Sequence, residues 1–147
     1  MTRPKVRVQY MVASHTVRQY GTNPTSDLLG VAYRIVYPPD TEFPVTVGQI
    51  DLFTRFYIRT AASDDFFVRL WSVGTDGLPE GLIDTFGPYH VDFPSDRTVL
   101  DRSFRVKYMT VARPGRYALC LSRRRNSNWR GDRWAVLATE YIAIERG

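Results

Sequence analysis

Apolar and polar residues alternate with a period of two from one end of this chain to the other, and no window carries the 3.6-residue apolar stripe of an amphipathic helix. A segment patterned this way presents one apolar face, which it buries by pairing with other strands and packing on a second layer. The fold is therefore expected to be all-β. Val6, Val8, Tyr10 and Val12 alternate with Lys5, Arg7 and Gln9 as a first strand. Val31, Tyr33, Ile35 and Tyr37 repeat the pattern up to Pro38-Pro39, which cannot continue a ladder. Gly21 to Gly30 reads as a polar connection between them.

Gln49 to Thr60 follows as a long strand with Ile50, Leu52, Thr54, Phe56 and Ile58 on one side. A turn over Ala61-Ala62-Ser63-Asp64-Asp65 leads into Phe66 to Val73, where Phe66, Val68 and Leu70 face one way and Phe67, Arg69 and Trp71 the other. Thr75-Asp76-Gly77 is a turn signal, since Gly tolerates positive φ and Asp can bond nearby backbone. Leu82 to Phe86 and Tyr89 to Phe93 form a strand interrupted at Gly87-Pro88 by a bulge or corner. Val99 to Ala112 places Phe104, Val106 and Tyr108 on one face, and Pro114-Gly115 suits a type II turn. Arg116 to Ser122 then carries Tyr117, Leu119 and Leu121 inward, and Trp134 to Ile144 closes the chain. About eight strands at this spacing predict an antiparallel two-sheet sandwich with jelly-roll or C2-like connections. At 147 residues the whole chain, 1–147, is expected to be one domain with one core.

The succession of a lone N-terminal strand, the long strand Gln49 to Thr60, the Phe-rich partner Phe66 to Val73, the Thr75-Asp76-Gly77 turn and the run Arg113-Pro114-Gly115-Arg116-Tyr117 resembles small bacterial β-sandwich proteins of unknown function. The resemblance implies the fold and carries over no functional residue.

No stretch approaches the roughly 18 apolar residues of a membrane helix, and Met1-Thr2-Arg3-Pro4-Lys5 does not lead into an apolar signal core. A cytoplasmic protein without membrane contact is expected. Cys120 is the only cysteine, so an internal disulfide or a thiolate metal cluster is ruled out. It alternates with Leu119 and Leu121 and reads as a small packed residue. His15 and His90 stand far apart, the loop carboxylates lack a calcium-loop spacing, and phosphate-loop, zinc and nucleophile-elbow motifs are absent. No catalytic residue, metal or cofactor is expected, and the chain reads as a non-enzyme.

Charge is concentrated in one place. Arg113 to Arg133 holds seven arginines against Asp132, a formal +6 in a chain whose total is +5. Arg123, Arg124, Arg125, Trp129, Arg130, Arg133 and Trp134 are the candidate binding residues, because guanidinium groups give bidentate contacts to phosphate or carboxylate and pair with aromatic or base faces. Aromatics on both faces of several strands (Phe66-Phe67, Phe53 beside Phe56-Tyr57, Trp71) exceed what one inner face can bury and point to an interface. The leading expectation is a non-catalytic structural or protein-interaction domain that forms a homo-oligomer or meets a protein partner. The alternative is a binding module, for nucleic acid or another polyanion through the basic loop, or for carbohydrate through Trp71, Tyr57 and Tyr89 on one sheet face.

Overall fold

The computed structural model describes residues 5–19, 26–31, 34–94, 99–124 and 133–147. All regular elements among them are strands: β1 Lys5–Gln19, β2 Ser26–Val31, β3 Arg34–Tyr37, β4 Val45–Thr60, β5 Ala62–Val73, β6 Pro79–Phe93, β7 Val99–Val111, β8 Gly115–Arg124 and β9 Trp134–Arg146. They form a first sheet in the order β2-β1-β4-β7 and a second in the order β3-β9-β8-β5-β6. The all-β sandwich is thus observed, antiparallel throughout except for the short β3, which runs parallel to β9. No helix among the described residues is long and apolar enough to cross a membrane.

The central strands pass from one sheet to the other, while β1 and β2, and β8 and β9, are neighbours within one sheet. β4 and β5 are separated only by Ala61, while β6 and β7 are joined by residues 94–98. β4 pairs with β7 in one sheet and β5 with β6 in the other, so these four strands are one long hairpin folded across both layers. Five rings hold the fold of that hairpin together. Phe56 of β4 lies 5.5 Å from Phe66, 5.2 Å from Phe93 and 6.1 Å from Phe104, and Tyr89 adds a contact to Phe104 at 5.5 Å. Most of these pairs are edge-on or tilted, the arrangements that ring quadrupoles favour. The Tyr89 hydroxyl crosses between layers to donate to the Arg105 carbonyl at 2.7 Å, and burial pushes its pKa up to about 12.

Several departures from simple alternation have a local cause. The segment 61–65 is not a turn, because Ala62 to Asp65 extend β5 and pair with Phe93 to His90. The polar stretch 21–30 contains a strand, β2, which pairs with the second half of β1. A register shift between Val8 and Tyr10 turns Met11 and Ala13 inward and leaves Tyr10 exposed, as expected when one inserted residue switches faces. On β7 the residue turned outward is Tyr108, at φ 61° and 70% exposed, while Val106 and Met109 both point inward. Gly48 sits opposite it between Val47 and Ile50, which are likewise both buried. Gly87 and Pro88 do form a bulge, and a Cβ on Gly87 would lie 2.9 Å from the Phe66 carbonyl. The Thr75-Asp76-Gly77 turn forms as expected, with Gly77 at φ 80° and the Asp76 carboxylate accepting from the Leu78 amide. Gly115, by contrast, opens β8 with φ 158°, which is not type II geometry. That bend is closed by the Tyr117 hydroxyl donating to the Arg113 carbonyl.

On the outer side of the first sheet, Ser14, Asp51 and Phe53 are buried. Asp51 takes a bidentate contact from Arg105 at 3.0 and 3.3 Å. Phe53 therefore does not contribute the surplus exposed apolar surface that its position on the strand suggested.

Phe56→Ala is expected to lower unfolding free energy by about 3–5 kcal/mol in urea titrations, because it removes the ring that three others pack against. A loss below about 1 kcal/mol would show that this cluster does not anchor the two sheets.

Candidate functional site

The outer face of the second sheet is built from one strand of small residues flanked by strands of large ones. Ala118, Cys120 and Ser122 of β8 point outward, yet all three are buried. β5 supplies Phe67, Arg69 and Trp71 on one side, and β9 supplies Trp134, Val136, Thr139 and Tyr141 on the other. The long side chains lean over the low middle strand and cover it. Phe67 meets Trp134 edge-on at 5.0 Å. The Arg69 guanidinium lies 4.5 Å from the Trp134 ring centroid and 5.1 Å from that of Trp71. Arg124 lies 5.3 Å from Trp134 and 5.1 Å from Phe67, and Arg116 lies 5.8 Å from Tyr141. Each such contact contributes on the order of 0.5–1 kcal/mol where water has access. The aliphatic stems of the arginines also shield apolar surface, so this face is covered from within the chain.

The arginine run at 123–125 is divided by this geometry. Arg124 belongs to the outer face, across from Trp134. Arg123 points to the other side of β8, where its Nη1 is 3.6 Å from Asp64 Oδ2 at the end of the sandwich. Arg133 is exposed immediately before β9. Arg125, Trp129 and Arg130 lie outside the described residues. Arg124 and Trp134 are joined on this face by Arg116 of the same basic segment and by Phe67, Arg69, Trp71 and Tyr141, which lie outside it. Their signal was present in the alternation: Arg69 is flanked by outward aromatics and pairs with Cys120, whose small neighbours leave room for large side chains.

Trp71, Tyr57 and Tyr89 do not share a sheet face. Trp71 is on the outer face of the second sheet, Tyr57 is on the outer side of the first beneath Arg7 at 5.3 Å, and Tyr89 points into the sandwich. The aromatic platform proposed for carbohydrate does not form from these three.

Cys120 and His90 sit in opposite environments. Cys120 is buried opposite Arg69, with its Sγ 3.5 Å from Thr139 Oγ1, and burial pushes the thiol pKa up. A thiol in that state is a poor nucleophile. His90, exposed on the edge strand β6, is held between Asp65 at 2.9 Å and Asp92 at 3.1 Å. Ser63 donates to Asp92 and not to the imidazole, so the cluster lacks the contact that activates a hydroxyl. Hydrogen bonding to Asp65, then to Asp92, raises the His90 pKa. Burial raises that of Glu140, which faces inward beside Leu119. No group of three or more His, Cys, Asp or Glu among the described residues could hold a metal ion. Neither a protein-family model nor a curated protein matches this chain.

Two outcomes follow from these environments. Cys120 is expected to react with a thiol reagent only at the rate of unfolding, and prompt labelling of the native protein would contradict its buried position. For His90, a folded-state pKa above the ordinary value of about 6.5 means that its stabilising contribution is complete below that value and is lost as pH rises through the folded one. The urea midpoint should therefore decline more between roughly pH 6 and pH 8 in the wild type than in His90→Gln. Equal declines would remove the charged contact from the account.

Proposed function

We propose that this chain is a non-catalytic interaction domain that docks an acidic protein segment on the outer face of its second sheet. One observation carries the reading: Arg69, Arg116 and Arg124 are gathered on that face over aromatic rings, and among the described residues none of them has a carboxylate at ion-pair distance. Elsewhere Arg34, Arg55, Arg105 and Arg123 each meet an Asp or Glu. Arg116 and Arg124 are exposed, whereas Arg69 Nε is buried beneath the face; an exposed guanidinium held against a ring keeps its N–H edge available and has given up part of its rotamer freedom, so bidentate capture of a carboxylate costs little further ordering. The rings themselves are engaged by guanidiniums and by one another, which argues against base stacking as the main source of affinity. Polyanions such as single-stranded nucleic acid would then bind by charge alone.

A second reading, self-association, is favoured by the exposure of Val136 and Tyr141 on the same face and of Leu82 on neighbouring β6. Sedimentation over a wide concentration range separates it from the first. Cytoplasmic location is part of the proposal.

The test compares the wild type with an Arg116→Gln, Arg124→Gln double variant against poly-L-glutamate and a thymidine oligonucleotide. Salt-dependent binding to poly-L-glutamate is expected, at least as tight as to the oligonucleotide, with a salt slope reduced by about one ion per lost contact in the variant. Absence of binding at low salt, or unchanged binding by the variant, would overturn the assignment of this face.

A further inference from the structure

A cleft of about 380 Å³ opens where the end of β5, the start of β6 and the end of β7 meet the bend into β8. This is toward the small end of the roughly 300–1,000 Å³ typical of ligand sites. Pro44, Ile83 and Tyr117 supply apolar wall, and Ser72 and Thr110 supply hydroxyl groups. Arg113 is the one charged residue of the lining. Among the arginines whose side chains are described, most are held by a carboxylate, a carbonyl or a ring; Arg59, Arg113 and Arg133 are not, and of these Arg113 lines a cavity.

The geometry points to a binding site for a small carboxylate with an apolar tail, its charge met by Arg113 and its tail laid against Pro44, Ile83 and Tyr117. The backbone at Arg113 is fixed in place, because its carbonyl accepts the hydroxyl of buried Tyr117. The Ser72 hydroxyl donates to the Gly81 carbonyl at 3.3 Å, which leaves its oxygen able to accept. Thr110 shares one hydrogen bond with Thr46 at 3.0 Å, so the pair of hydroxyls retains a donor for a carboxylate oxygen. None of the lining residues belongs to the arginine and aromatic face, so the two proposals are tested independently.

Octanoate and octanol are matched probes, since they share the tail and differ in charge. In amide NMR titrations of the full chain, octanoate is expected to shift Ser72, Ile83, Thr110 and Tyr117, and to bind at least tenfold more tightly than octanol. Arg113→Gln should erase that difference while leaving the amide spectrum of the core unchanged, because the side chain is exposed. The inference is overturned if octanoate shifts other regions or none, if octanol binds equally well, or if Arg113→Gln retains the preference for the carboxylate.

Discussion

The contact on which the rest of the molecule depends is that of Phe56 with Phe66, Phe93 and Phe104. These rings come from β4, β5, β6 and β7, one from each, and flank the two places where the chain crosses between sheets. They fix how far the long hairpin folds over, and so which sheet each half joins. They also set orientation elsewhere. Once Phe66 faces inward, alternation places Phe67, Arg69 and Trp71 outward, and the whole outer layer of the second sheet follows.

That outer layer shows how a sheet with aromatics on both sides can remain a two-layer structure. A lone sandwich has one inner face, so outward Phe and Trp call for something to cover them. Here β8 withdraws, with Ala118, Cys120 and Ser122 in its outward positions, and its neighbours close over it. Arginine suits this role because it offers a long apolar stem and a planar cation that can rest on a ring. The chain's preference for arginine over lysine, 18 to 2 by residue, thus has a structural use beyond charge. Cys120 is buried for the same reason: it lies beneath this cover.

Strand identity was legible because burial on one face leaves a period of two, and the inward sets Phe66-Val68-Leu70 and Tyr117-Leu119-Leu121 follow the pattern unaltered. Bulges were not legible, since a single inserted residue carries little signature in sequence. That is why Tyr108 was expected inward and Met11 was overlooked. Asp64 and Asp65 read as a turn on composition alone, whereas both are strand residues with partners, Arg123 for one and His90 for the other. The basic segment was visible as charge, but charge along a strand is dealt to alternate faces. Arg123 and Arg124 accordingly belong to different environments, and three of the residues that complete the face with Arg124 and Trp134, namely Phe67, Arg69 and Trp71, come from β5, over fifty positions earlier than Arg124.

Tyr108 bears on what the edge of the first sheet offers to other chains. β7 is the outer strand of the first sheet, and a straight strand in that position offers its free amides and carbonyls as a template for any extended chain. A tyrosine held at φ 61° kinks that template and thrusts a ring outward, while the exposed Arg102 and Lys107 add repulsion against a second copy of the same strand. Edge-to-edge growth into an endless sheet is thereby discouraged by the backbone itself. The strained residue acts as a guard against fibril-like stacking, and it leaves the broad faces as the surfaces through which the molecule can safely meet others.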